Sequence, residues 1–205
     1  VLQGKSNVYE TDLFWPIVQR VCALTGQTYG VDQETDYAIR VVTEHARAAS
    51  FLIGDGVIPG NAGRGYVLRR VIRRAIRYGR RLGLEEPFLP QVAEVVLEGF
   101  SPVYRELEEN HDFILRVIQL EEERFGEAMQ TGMRLLEDQL IPLHKKNGEQ
   151  ARYAKQISGG EVFLLHDTYG FPPELTAEIA REHGLTVDLE GFEREMKAQR
   201  EQSRA

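Results

Sequence analysis

A chain of 205 residues can form one large domain or two small ones, and 42% apolar with 28% charged residues is typical of a folded protein. No apolar run reaches the roughly 20 residues that a membrane span needs. The single cysteine, Cys22, excludes an internal disulfide and fits a cytoplasmic location. The chain has neither a secretory signal nor an initiator methionine, so we expect a segment of a longer protein.

The net charge of −7 is unevenly distributed along the chain. Residues 85–138 contain fourteen acidic residues and only four arginines. Residues 56–84 contain no Asp or Glu and eight arginines, namely Arg64, Arg69, Arg70, Arg73, Arg74, Arg77, Arg80 and Arg81. A basic strip of this kind can bind an anionic partner even though the whole protein is acidic.

Hydrophobic spacing predicts a mainly α-helical protein, a helical bundle with little or no sheet. The first part of the chain is expected to form helices at residues 12–24, 36–53, 66–82, 91–98 and 103–140. Asp36 is the expected N-cap of the second helix. The last of these helices would be the long central one, with a possible break near Gly126 or Gly132 because interior glycines weaken helices.

The polar stretch 144–157 is predicted to be a flexible linker between a first subdomain, 1–143, and a helical C-terminal subdomain, 158–205. Residues 161–169 fit either a strand or a helix. Helices are expected from the Pro172-Pro173 pair to Arg181 and from Leu189, behind an Asp188 cap, to about residue 202. Leu185-Thr186-Val187 is a short candidate strand.

Patterns of catalytic or metal-binding residues are not found in the sequence. The five histidines are scattered without metal-ligand spacing, and there is no phosphate-binding glycine loop or nucleophile motif. We therefore predict neither catalytic residues nor a metal site in this chain.

The segment from Gly60 to Arg74 is the most distinctive feature: a glycine-spaced loop leads into an arginine-lined helix. Helix N-terminal amides favour anions, and arginines spaced along a helix can follow a phosphate backbone. The alternative is that these arginines form internal ion pairs with the acidic residues after Glu85. Both interpretations can hold for different arginines.

A second feature is Asp167, which stands between apolar residues and a Gly-Phe-Pro turn. The residue types favour a structural cap over a hydrogen-bond acceptor held at the surface, but both remain open.

Six strings, taken together and in this order, resemble alanyl-tRNA synthetases over nearly the whole chain. They are Asp12-Leu13-Phe14, residues 39–48 (IRVVTEHARA), 51–59 (FLIGDGVIP), 63–70 (GRGYVLRR), 167–172 (DTYGFP) and 191–193 (GFE).

The resemblance implies the middle helical region of a class II synthetase that joins alanine to tRNA with ATP and Mg²⁺. The catalytic domain would precede this segment, and a zinc-dependent editing domain would follow it.

In that family the middle region recognises a G·U wobble pair in the acceptor stem of alanine tRNA. The resemblance assigns base readout to Asn61 and Asp167. Contacts to the RNA backbone would come from Arg64, Arg69, Arg70, Arg73, Arg74 and Arg77. The competing hypothesis is a helical protein-interaction domain with segregated charge, in which arginines are buried against Glu121, Glu122 or Glu123.

Overall fold

The computed structural model describes residues 3–148 and 155–202, which form two compact units, Val1–Arg124 and Phe125–Ala205. The prediction of a mainly α fold is confirmed: in the described residues the only sheet consists of two strands of two residues each. The division between the units falls before the expected linker at 144–157, because Phe125 and the residues that follow it pack with the C-terminal part of the chain.

The first unit begins with a 3₁₀ turn, Val8–Glu10. Its helices are α1 (Trp15–Thr25), α2 (Gln33–Gly54), α3 (Gly63–Arg81), α4 (Leu89–Phe100), α5 (Arg105–Glu109) and the first part of α6 (His111–Arg134). Helix α2 contacts α1, α3, α4 and α5, so it forms the centre of this unit. Its buried side chains recur at helical spacing and include Ile39, Val42, Ala46, Ala49 and Ile53.

Helix α2 starts earlier than predicted. The N-cap is Asp32, whose carboxylate accepts a hydrogen bond from the Thr35 amide at 2.8 Å. The predicted cap, Asp36, lies inside the helix and instead accepts from the Gly30 amide at 2.7 Å. Both aspartates can satisfy backbone donors, and spacing alone did not distinguish them.

The helix predicted over residues 103–140 is interrupted, but not at Gly126 or Gly132, where a break was expected. Asn110 separates α5 from α6, and its side chain donates to the Glu106 carbonyl at 2.8 Å. Gly132 is helical, and the Phe171 ring packs so closely against it that an added Cβ would lie 2.5 Å from Cε2. After α6 the chain forms a π-helical segment, Leu135–Leu140.

The second unit continues with α7 (Ile141–Gly148), β1 (Gln156–Ile157), α8 (Gly159–Tyr169), α9 (Pro173–Glu182), β2 (Thr186–Val187) and α10 (Leu189–Gln202). The start of the predicted linker is thus helical, and residues 149–154 lie outside the described residues. The short strand predicted around Thr186 is confirmed. It pairs in parallel with β1, which lies in the stretch expected to be a linker.

Residues 161–169 are helical, because Ser158 and Glu161 form a reciprocal capping box at the start of α8. Asp188 caps α10 as predicted, accepting from the Gly191 amide at 2.8 Å. Helices α8 and α10 approach closely at Gly159 and Gly191, where a Cβ on Gly191 would lie 3.1 Å from the Gly159 Cα. Within the described parts of the chain, none of the helices is both apolar and long enough for a membrane span.

Candidate nucleic-acid interface

The loop before α3 is closed by glycines and carries Asn61 at its exposed tip. The Gly60 amide donates to the Gly65 carbonyl at 3.0 Å. The Ile58 carbonyl packs against Gly65, where a Cβ would come within 2.5 Å of that oxygen, so a side chain is excluded there. Gly63 has a φ of 57°, which favours glycine. The loop geometry therefore fixes the position of the Asn61 backbone at the protein surface.

Arg69 connects Asn61 to the interior of the first unit. Its Nη1 donates a hydrogen bond to the Asn61 Oδ1, and its Nε lies 3.2 Å from the Glu121 Oε1. Glu121, on α6, is only 4% exposed. The amide of the exposed Asn61 is thus connected, through a guanidinium, to a buried carboxylate.

Arg73 binds the same carboxylate more closely. Its Nε and Nη2 lie 2.8 and 2.7 Å from the Glu121 Oε1. Burial lowers the pKa of the Arg73 guanidinium, and the Glu121 charge opposes that shift. The internal pairing that the sequence left open is therefore present for Arg69 and Arg73.

Arg74 and Arg77 surround the buried ring of Tyr78, with their guanidinium carbons 5.0 and 5.4 Å from its centroid. Arg74 also donates to the Tyr37 hydroxyl at 2.9 Å and lies 3.1 Å from the His45 Nε2. Arg77 is only 3% exposed, which weakens the prediction that it contacts an RNA backbone. Helical spacing placed Arg77 on the arginine face but did not reveal that residues 75–79 of α3 are all buried.

Arg64 lies exposed in the first turn of α3, and Arg70 is half-buried. Tyr37 and His45 were not predicted to belong to this surface. They are eight residues apart on α2, and that spacing is compatible with a shared helix face, but only the packing of α2 on α3 brings them to Arg74.

Asp167 lies in the last turn of α8, in the second unit, and its side chain is exposed. The favoured cap interpretation is wrong, because α8 ends at Gly170 with a φ of 70°, whose amide bonds the His166 carbonyl. The Asp167 Oδ1 accepts from the Gln199 Nε2 at 2.7 Å. A carboxylate near a helix C-terminus is disfavoured by the helix dipole, so local stability does not explain Asp167.

Among residues 3–148 and 155–202, no group of three or more His, Cys, Asp or Glu side chains is arranged to hold a metal ion.

The sequence profile of class II (A) tRNA synthetases matches residues 1–205. The chain belongs to this family.

Curated relatives that match the chain include alanine–tRNA ligases. The chain is 52% identical over 205 residues to the enzyme of Dehalococcoides mccartyi, strain 195, of which it covers 22%. It is 47% identical to that of Geobacillus kaustophilus and 46% identical to that of Desulfosudis oleivorans, covering 22% and 23% of their lengths. In each comparison the whole of this chain is matched, so it spans somewhat more than a fifth of these relatives.

Proposed function

We propose that this chain is the middle, tRNA-recognition segment of an alanine–tRNA ligase and reads the G·U wobble pair of the tRNA acceptor stem. The observation that carries the proposal is the match of all 205 residues to alanine–tRNA ligases. The exposure of Asn61 and Asp167 supports their assignment as the two base readers.

The chemistry of a G·U pair suits these two side chains. An A-form stem exposes a wide, shallow minor groove, and a wobble pair leaves the guanine 2-amino group there without its usual partner. An ionised carboxylate only accepts hydrogen bonds, so Asp167 fits an amino donor. Asn61 carries both a donor and an acceptor, so it can bridge the guanine and the uracil.

Backbone contacts would come from the arginines whose charge is presented at the surface. Arg64 is exposed beside Asn61, and Arg70 and Arg74 are half-buried. Arg69 and Arg73 share Glu121, so their net contribution to phosphate attraction is smaller. These contacts would set the register of the stem, and the base readers would supply discrimination.

We extend the proposal to the whole protein on family grounds. The complete enzyme would alanylate tRNA with ATP and Mg²⁺ in a catalytic domain before this segment. A zinc-dependent editing domain would follow, and the enzyme would act in the cytoplasm. No step of the recognition proposed for this chain uses a metal ion or ATP.

The decisive experiment is binding of the 205-residue chain to acceptor-stem duplexes that differ only in a G·U or a G·C pair. We expect tighter binding to G·U. Asn61→Ala and Asp167→Ala should each lower the G·U to G·C affinity ratio by about 5-fold or more, the loss of one base contact. If both variants keep the parent ratio, these residues are not the base readers.

The pairing of Arg69 and Arg73 with Glu121 is the observation that favours the alternative, a protein-interaction domain with segregated charge. That alternative predicts no retention of the chain on the RNA duplex even at low salt. Tight low-salt binding with a steep salt dependence would exclude it.

A further inference from the structure

We infer that Arg69 and Glu121 are positioning residues that hold Asn61 in one orientation, with its NH₂ group outward as a hydrogen-bond donor. Asn61 would therefore contact an acceptor atom of the RNA, while the guanine amino group is left to Asp167. This inference rests on the proposed function and adds to it two positioning residues and the orientation of the Asn61 amide.

Glu121 is held in place by Arg73. Its carboxylate is 4% exposed and is held by the Arg73 Nε and Nη2 at 2.8 and 2.7 Å. Both Arg73 nitrogens contact the same oxygen, Oε1, so this oxygen is held by charge-assisted contacts in a buried position. Glu121 is thus a fixed point beneath the surface of the first unit.

Arg69 contacts both Glu121 and Asn61. The Arg69 Nε lies 3.2 Å from the Glu121 Oε1, and its Nη1 donates to the Asn61 Oδ1. The Arg69 side chain is 22% exposed, so its guanidinium is partly shielded from water. The contact with Glu121 is an ion pair without a hydrogen bond, and its charge attraction holds the planar guanidinium between the carboxylate and Asn61.

The hydrogen bond from Arg69 determines which end of the Asn61 amide faces outward. A guanidinium has only donors, so the Asn61 atom that faces Arg69 must be the carbonyl oxygen. The NH₂ group is then directed away from Arg69, on an exposed side chain. Asn61 presents a donor, which fits a purine N3, a uracil O2 or a ribose 2′-oxygen in the minor groove.

The test uses the 205-residue chain and the G·U and G·C duplexes, and its readout is the affinity ratio. Arg69→Met and Glu121→Gln should each lower the ratio about 5-fold or more, approaching Asn61→Ala, because the amide is no longer fixed. The matched controls are Arg81→Met, on the same helix, and the exposed Glu123→Gln, next to Glu121. Both should keep the parent ratio, whatever they do to overall affinity.

The donor role is tested separately with Asn61→Asp, which has nearly the same shape but no NH₂ group. We expect it to lower the ratio as much as Asn61→Ala. A third duplex replaces the guanine of the wobble pair with hypoxanthine, which lacks the 2-amino group. Removing that amino group should still weaken binding in Asn61→Asp, but no longer in Asp167→Ala.

Different results would overturn the positioning role of Arg69 and base readout by Asn61. If Asn61→Ala lowers the ratio but Arg69→Met does not, the positioning role is overturned and base readout by Asn61 stands. If Asn61→Ala itself keeps the parent ratio, the proposed function loses its first base reader. Should Glu121→Gln impair folding, measured by the fluorescence of Trp15, the only tryptophan of the chain, Arg69→Met decides alone.

Discussion

Gln199 donates a hydrogen bond of 2.7 Å from its Nε2 to the Oδ1 of Asp167, across 32 residues of sequence. The bond joins α10 to the last turn of α8, within the second unit. Asp167 thus has a side-chain partner from another helix, as Asn61 has one in Arg69. A carboxylate accepts several hydrogen bonds, so Gln199 steadies Asp167 without using up its acceptor capacity.

Gln199→Leu is expected to weaken base readout by loosening Asp167. Loss of one exposed hydrogen bond that orients a side chain should lower the G·U to G·C affinity ratio about 2- to 5-fold, less than Asp167→Ala does. The exposed Glu195→Gln on the same helix is the matched control and should keep the parent ratio. An unchanged ratio in Gln199→Leu would mean that this bond does not position Asp167.

Arg64→Met is expected to weaken binding to the G·U and G·C duplexes equally. Arg64 is exposed, and a lost phosphate contact should reduce the slope of log affinity against log salt by about 0.7–0.9. The matched comparison is Arg77→Met, since Arg77 is buried and should leave the slope unchanged. Salt titrations from low to moderate ionic strength measure both slopes, and equal slopes for the two variants would contradict the assignment.

Glu122 makes the stability of the first unit depend on pH. Its carboxylate is fully buried on α6 and accepts from the amides of Phe88 and Leu89 at 3.0 and 2.9 Å, at the start of α4. Burial raises the pKa of Glu122 from 4.5 to about 7, although these two amides and Arg80 oppose the shift. The folded protein therefore binds the proton more tightly than the unfolded chain. The contribution of Glu122 to the free energy of unfolding should fall by roughly 3 kcal/mol between about pH 4.5 and pH 7. Above about pH 7 this contribution should no longer change with pH.

The measurement for Glu122 is urea unfolding at several pH values, followed by the fluorescence of Trp15 in the first unit. The difference in unfolding free energy between the parent and Glu122→Gln should change with pH over this window, because the variant cannot titrate there. Glu123→Gln is the control, since that side chain is exposed. A difference that is constant from pH 4.5 to 7 would contradict the raised pKa.

Gly79→Ala is expected to destabilise the first unit by about 1–3 kcal/mol through overpacking. Gly79 lies inside α3 against the ring of Phe88, and an added Cβ would overlap that ring. Gly99→Ala in α4 is the matched control, because nothing lies within 4 Å of its added Cβ. That control should be neutral or stabilising, as alanine is the better helix former. Urea unfolding followed by Trp15 compares the two, and a stable Gly79→Ala protein would contradict the close packing.

Much of the fold followed from the sequence by itself, because its signals are local. The apolar periodicity of α1 to α4 and the Asp188 cap of α10 depend on neighbours within a few residues. The loop from Gly60 to Gly65 was also visible, since its glycines are needed for close backbone contacts. Base readout by Asn61 and Asp167 was implied by the resemblance of the motifs to alanyl-tRNA synthetases and stays a prediction.

The tertiary structure decided which of these side chains are at the surface and what holds them. The eight arginines of α3 look equivalent in the sequence, yet Arg77 is buried and Arg73 is bound to Glu121, 48 residues away. Similarly, Asp167 had the sequence context of a cap but is an exposed acceptor held by Gln199. Burial and pairing depend on which helices pack together, and the contacts between them join residues that are far apart in the chain. Local patterns therefore cannot specify them.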